Sequence, residues 1–374
     1  MKVTLYKIHK WVGLALGVLL LLQALTGLLM AHKESLSLWF GGDRIADSGA
    51  PHQPLDRIIG VVRDEFPGYR FDRIIYREDP ALPLIARIVP PDGGTFHIAM
   101  IDPTVPAVLS SGPLTHYPLQ LAERLHVSLL SGDIGHNILL VEGIALVFMG
   151  VSGLIVWWPR KNKFRKALTI KWKSKSLPLL RDLHMVPGAL TAILMLLSGL
   201  TGAMLIADPV VEAAVSTVAP IKPEIHLDLK DVENKEAVIS WQDAFDRLQQ
   251  KLPDGRLRQL RFMGGGDRLL GTVMVAEDAV NPRAHHIAAV DRWVDETIVF
   301  ADGNDLPSGS AFMEWLLPLH TGEAFGPLRG SLMTILGVSL GGMAITGFMV
   351  WWKKRPRRRP QAPKAGQRPL PAEK

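Results

Sequence analysis

The chain has 374 residues, no cysteine, 48% apolar residues, and 42 basic against 36 acidic side chains. Without cysteine it holds no thiolate-ligated iron–sulfur cluster, catalytic thiol, disulfide or covalently attached c-type haem. Four apolar stretches of about 21 residues, each roughly 31 Å as a helix, exclude a soluble cytoplasmic enzyme and predict a helical membrane protein.

Residues 1–31 open with three lysines and run into span 1 at 11–31. This span is longer than the apolar core of a signal peptide and lacks an A-x-A site, so it reads as uncleaved. Segment 32–137 follows as a first outside domain. Its apolar spacing at Leu55, Ile58, Ile59 and Val62 predicts a helix over 54–65. Strands are predicted near 70–76, 82–89, 95–101 and 105–110. Span 2 is 138–158, and 159–185 is a loop with nine Lys/Arg and one acid. Span 3 is 186–206.

Segment 207–331 repeats the first outside unit. Ala244, Phe245, Leu248 and Leu252 mark its helix, and strands are predicted near 256–262, 269–276, 285–291 and 294–300. Gly264-Gly265-Gly266 lies between two of these strands and reads as a hairpin turn rather than a nucleotide loop. Span 4 is 332–352, and 353–374 is a tail with nine Lys/Arg and one acid.

The short segments 1–10, 159–185 and 353–374 hold 21 basic and two acidic residues, while the two long ones hold 21 basic and 33 acidic. By the positive-inside rule both termini are cytoplasmic and both long segments lie outside. The basic tail reads as a topology anchor against anionic membrane lipid, with no nucleic-acid partner. No catalytic serine or paired-carboxylate constellation calls for hydrolysis.

The chain repeats itself. His9, Gly13 and Leu25-Thr26-Gly27 recur without a gap as His184, Gly188 and Leu200-Thr201-Gly202. His126, Ser152-Gly153 and Trp157-Trp158 recur as His320, Thr346-Gly347 and Trp351-Trp352. Both halves start inside, so they are parallel repeats about an axis near the membrane normal. The expected fold is an all-α four-helix membrane bundle of two such repeats, carrying two small α+β domains outside.

Six of twelve histidines stand near span ends: His9, His32, His126, His136, His184 and His320. Neutral imidazole is the usual ligand of a b-type haem, which needs no cysteine. The repeat relates His9 to His184 and His126 to His320, which suggests one haem near each face. His32 and His136 have no repeat partner. They offer an alternative outer pair or a face toward substrate, and both readings stand here. Along a helix, His9 and His32 would lie roughly 34 Å apart.

His97, His285 and His286 fall in strands and read as structural. His52, His116 and His226 are loop residues. The Trp pairs read as interface anchors. Gly13-x-x-x-Gly17 and Gly337-x-x-x-Gly341 allow close helix packing or room for a macrocycle. Glu142 and Gln23 are polar groups inside spans, open to a proton or quinol role or to a hydrogen bond with a neighbouring helix.

The sequence resembles the PepSY-associated transmembrane proteins in YKIHKWVGLALG, RDLHMVPGAL, RLHVSLLSGDIG, PLHTGEAFG, SGLIVWW and TGFMVWW. The resemblance implies a bacterial inner-membrane protein with two periplasmic PepSY-like domains. One branch, the FoxB-like ferrioxamine reductases, implies more. Its members carry haem at span-end histidines and reduce ferric siderophore at the periplasmic face for iron acquisition. The electron donor would be quinol or a cytoplasmic reductase. The competing readings are a PepSY adaptor that binds a partner protein without redox chemistry, and a permease for iron or siderophore.

Overall fold

The first helix starts well before its apolar stretch. Lys2, Lys7 and Lys10 are good helix formers and extend the apolar run by two further turns, giving α1 at Lys2–Ala31. The computed structural model describes residues 2–37, 39, 45–47, 49–222, 236–251, 255–264, 268–276, 281–303 and 305–355. His226, Leu252, Gly265, Gly266 and residues 356–374 lie outside these.

In chain order the helices after α1 are α2 (Lys33–Ser37), α3 (Leu55–Glu65), α4 (Pro118–Ser128), α5 (Gly132–Trp157), α6 (Phe164–Ala167), α7 (Ser176–Ile206), α8 (Asp208–Ser216), α9 (Trp241–Lys251), α10 (Ser308–Thr321) and α11 (Arg329–Lys353). The strands are β1 (Arg70–Ile75), β2 (Leu84–Val89), β3 (His97–Asp102), β4 (Ala107–Pro113), β5 (Gly255–Met263), β6 (Leu269–Ala276), β7 (His285–Asp291) and β8 (Glu296–Ala301).

Among the described residues four helical runs, ending in or made by α1, α5, α7 and α11, are long and apolar enough to cross a membrane. Helices α1 and α7 each pack against both α5 and α11. Small residues let the backbones approach. A Cβ on Gly143 would lie 3.1 Å from the Gly199 carbonyl oxygen, and its repeat mate Gly337 faces the Ala24 carbonyl in the same way at 3.4 Å. Lys2 Nζ donates to the Trp158 carbonyl (3.2 Å), and Lys353 Nζ to Ser176 Oγ (2.9 Å). The basic ends of all four helices therefore gather at one end of the molecule.

At the other end both long segments contribute to one antiparallel sheet of eight strands, in the order β4-β3-β2-β1-β5-β6-β7-β8. The repeats meet where β1 pairs with β5, with Ile74 opposite Leu260. Antiparallel pairing of equivalent strands is what a two-fold axis through the sheet produces, and this axis continues between the long helices. One face of the sheet is covered by α3 and α9. Ile58, Ile59, Val62, Leu248, Ile74 and Leu260, each at most 1% exposed, form its core. The other face looks toward the long helices.

Candidate functional site: two histidine pairs and a cavity

The structure brings the repeat-related histidines together. His9 on α1 and His184 on α7 face each other with ring centroids 6.5 Å apart and planes at 90°. His126 on α4 and His320 on α10 do the same at 6.2 Å and 50°.

All four rings are held alike. His9 Nδ1 lies 2.8 Å from Ser152 Oγ, and His184 Nδ1 3.3 Å from Thr346 Oγ1. His126 Nδ1 lies 3.0 Å from Thr26 Oγ1, and His320 Nδ1 3.2 Å from Thr201 Oγ1. Each hydroxyl belongs to a Ser/Thr-Gly dipeptide, and the glycine leaves room for the ring. A Cβ on Gly153, Gly347, Gly27 or Gly202 would come within 2.9–3.3 Å of the Cε1 of its histidine.

The hydroxyl protons fix the tautomer. Thr26, Thr201 and Thr346 donate to carbonyls four residues back at 2.7–2.8 Å, and Ser152 donates to the Met149 carbonyl at 3.3 Å, so each hydroxyl oxygen accepts from the ring. The Met343 and Ser198 carbonyls, both 3.1 Å from their rings, can only accept. Nδ1 therefore carries the proton, and Nε2 keeps its lone pair. Among the described residues no hydrogen bond engages these four Nε2 atoms. A ligating histidine is oriented by the same kind of bond from its other nitrogen.

Helices α4 and α10 place the outer pair deeper than the chain order implies. Leu129, Leu130 and Gly132 have positive φ (50°, 58° and 53°), which turns the chain sharply from α4 into α5. A Cβ on Gly135 would lie 1.7 Å from the Ser128 carbonyl oxygen, so this turn requires glycine there. The turn lays α4 against α1 and points His126 at Thr26.

His32 and His136 form no ring contact with each other. His32 Nε2 donates to Thr334 Oγ1 (2.7 Å) and ties the end of α1 to α11. His136 is partly exposed, with Nδ1 3.9 Å from Asp133 Oδ1. Both line a cavity of about 780 Å³ that the outer pair also lines. Its inner wall is apolar, with Leu20, Leu146 and Leu340. Its mouth under the sheet is charged, with Arg77, Arg256, Arg258 and Arg283. Glu142 lines the same wall at 4% exposure, and among the described residues neither carboxylate oxygen has a hydrogen-bond partner. Gln23 Nε2 is likewise unpartnered. The repeat counterparts of Glu142 and Gln23 are Leu336 and Ser198, which line the cavity too.

Two features escaped sequence reading. The Ser/Thr-Gly dipeptides are legible in the sequence as repeats, but nothing there shows that each supplies the partner of a histidine. The arginines of the mouth carried a faint signal, the alternation of Arg256 and Arg258 on one strand.

Paired, symmetric histidines between apolar helices, beneath a sheet outside them, define a multi-pass helical membrane protein with an internal two-fold. The chain matches the PepSY-associated TM region over residues 6–354 and belongs to that family. No curated protein matches it.

Proposed function

We propose that this protein is a haem-containing reductase of the bacterial inner membrane. It would pass electrons from the cytoplasmic face to ferric siderophore at the periplasmic face and release Fe(II) for uptake. The observation that carries this reading is the pair of His–His sites, related by the repeat and each with two free Nε2 atoms.

The residues fit b-type haem. The paired rings stand 6.5 and 6.2 Å apart between centroids, a separation at which both imidazoles of a pair could ligate one iron. Among the described residues no group of three or more His, Asp or Glu could hold a metal ion. A metal held by two histidines must then bring its other ligands with it, as a porphyrin does.

His9 and His184 would hold one haem, and His126 and His320 the other. Haem bound there supplies a one-electron carrier at each level. The chain sets the spacing. Seventeen residues of continuous helix separate His9 from Thr26, which is about 25 Å of rise and less than the span from His9 to His32. Ser152, Thr346, Thr26 and Thr201 orient the imidazoles, and the apolar wall excludes water from them. Fe(III) in a siderophore is held by hard oxygen donors, and reduction to Fe(II) weakens that preference.

In this reading the four long helices form a four-helix bundle, both termini are cytoplasmic, and each half of the sheet with its helix is a periplasmic PepSY-like domain. Quinol or a cytoplasmic reductase would supply the electrons.

The test is spectroscopic. The solubilised protein should show a dithionite-reducible b-type spectrum with two haems per chain. The double variants His9→Ala/His184→Ala and His126→Ala/His320→Ala should each lose one. Added ferric siderophore should reoxidise the wild type with release of trappable Fe(II). A folded, colourless protein would overturn the reading.

A further inference from the structure

The acidic excess of the two outside segments would favour a cationic substrate if it were spread evenly. The cavity mouth is different. Six cations line it: Lys33, Arg77, Arg256, Arg258, Arg283 and Arg329. Four acids line the same mouth, and three of them are engaged. Glu123 pairs with Lys33. Glu34 takes Arg77 at 2.9 Å. Glu323 takes Arg283 (Nη2–Oε1 2.7 Å) and also Arg329 (3.3 Å).

Arg256 and Arg258 remain; Arg258 feels the charges of Glu323 and of the exposed Glu78 without an ion pair to either. Among the described residues neither guanidinium has a side-chain hydrogen bond or ion pair. They lie two residues apart on β5, Arg258 at the bulge between Leu257 and Gln259, and both line the cavity. Arg329 Nε is also buried without a partner. The cavity that the outer histidine pair lines therefore carries positive charge beyond what its engaged acids neutralise, from exposed Arg256, half-buried Arg258 and the buried Nε of Arg329. A second group senses the same field. His285, on β7, is held down to about 4, first by burial and then by Arg258 and Arg283.

We infer that this mouth binds an anionic ferric chelate, with the carboxylates of the ligand seated on Arg258, Arg256 and Arg329. The inference rests on the reductase reading, because it places the chelate above the outer histidine pair. Guanidinium is suited to this task, since it binds carboxylate through two parallel N–H···O bonds. Arg256 is exposed and Arg258 half-buried, so salt screens such bonds in part.

The test separates binding from reduction by using gallium(III), which is not reduced. Full-length protein in detergent is titrated calorimetrically with gallium(III) dicitrate, an anion, and with the cationic gallium(III) complex of a linear trihydroxamate. The anion is expected to bind at least tenfold more tightly. Arg258→Gln should weaken the anion about tenfold and leave the cation unchanged, and Arg258→Lys should recover part of the loss. Should Arg258→Gln fail to fold, the wild type decides the matter. Its affinity for the anion should fall steadily as salt rises.

Equal or tighter binding of the cation overturns the inference. So does an anion affinity indifferent to both Arg258→Gln and salt. If Arg258→Gln instead lowers haem content and spares dicitrate binding, the arginines serve haem propionates and the inference fails. A protein that binds dicitrate but never carries haem keeps the anion site and refutes the reductase.

Discussion

Asp56 and Gln242 cap each other's helices across the repeat. The Asp56 carboxylate accepts from the backbone N–H groups of Trp241 (3.0 Å) and Gln242 (2.9 Å) at the start of α9. The Gln242 side chain accepts from the Leu55 N–H (2.7 Å) at the start of α3. Each half thus caps a helix of the other, and at α9 this adds to the Ser240 hydroxyl, which accepts from the Asp243 N–H (3.0 Å). The carboxylate also opposes the positive end of the α9 dipole. Asp56→Ala is expected to cost about 1 kcal/mol. The loss should appear in hydrogen exchange as faster exchange at the first amides of α9, in the half that does not contain the substitution.

The seam between β1 and β5 makes the same point more strongly. Ile74 and Leu260 lie opposite each other, both 0% exposed. Truncating Leu260 to alanine opens a cavity shared by the two repeats and should cost about 2–5 kcal/mol. Urea unfolding of the region outside the membrane should remain one transition, moved to lower denaturant. Two separate transitions would show that the halves fold independently.

Much of this architecture is legible in the sequence. The eight strands and the α3 and α9 helices follow from short-range periodicity, and the four spans from length and composition. The pairing of the two halves into one sheet is not legible. Period-2 alternation in β1 and β5 identifies strands without saying which edges meet. The helices outrun their apolar windows because Lys2, Lys7 and Lys10 end the hydropathy signal without ending the helix. The histidine pairs were visible through repeat offsets. Their hydroxyl partners were not, since Ser152 lies 143 residues from His9 and Thr26 lies 100 from His126. The depth of His126 depends on the tight turn after α4, which only backbone geometry reveals.

The glycines beside the outer pair give a direct test of ring placement. A Cβ on Gly27 would come to 3.1 Å from His126 Cε1, and one on Gly202 to 2.9 Å from His320 Cε1. Neither ring can move back without giving up its Nδ1 hydrogen bond. If the proposed haems are bound, Gly27→Ala and Gly202→Ala are each expected to lower the haem-to-protein ratio from two toward one, read by absorbance against protein concentration. Thr26→Val keeps the space and loses only the hydroxyl, so it should shift the spectrum while retaining more of the haem.

His285 predicts a pH dependence. Burial first, then Arg258 and Arg283, lower it from 6.5 to about 4 in the folded protein. The unfolded chain therefore binds a proton that the folded chain refuses between those values. Its neutral form adds nothing to the pH slope above about 6.5. Stability should decline as pH falls from about 6.5 to about 4 and then level off. After allowance for partial exposure, the loss is on the order of 1–2 kcal/mol. His285→Gln should flatten the fall in melting temperature across that window. Parallel curves for wild type and variant would reject the assignment.

Glu142 breaks the two-fold symmetry in a revealing place. Its neighbour Gly143 packs against Gly199 and Ala203 on α7, at the level of Thr201, which holds His320. The carboxylate therefore sits on the cavity wall near the outer pair, 4% exposed and without a hydrogen bond, where the other repeat has Leu336. A buried polar group without a partner costs about 1–3 kcal/mol. Glu142→Leu, which makes the two walls alike, should raise the melting temperature by several degrees. A residue that lowers stability can be kept for its place in the cavity, and the symmetry offers a way to ask. The exchange Glu142→Leu/Leu336→Glu moves the carboxylate to the related point across the same histidine pair. If its proximity to that pair is what matters, the exchange should restore the wild-type pH dependence of the reduction potential of the haem proposed there, which Glu142→Leu alone would lose. If the single variant neither stabilises the protein nor alters that dependence, Glu142 already has a partner in the membrane.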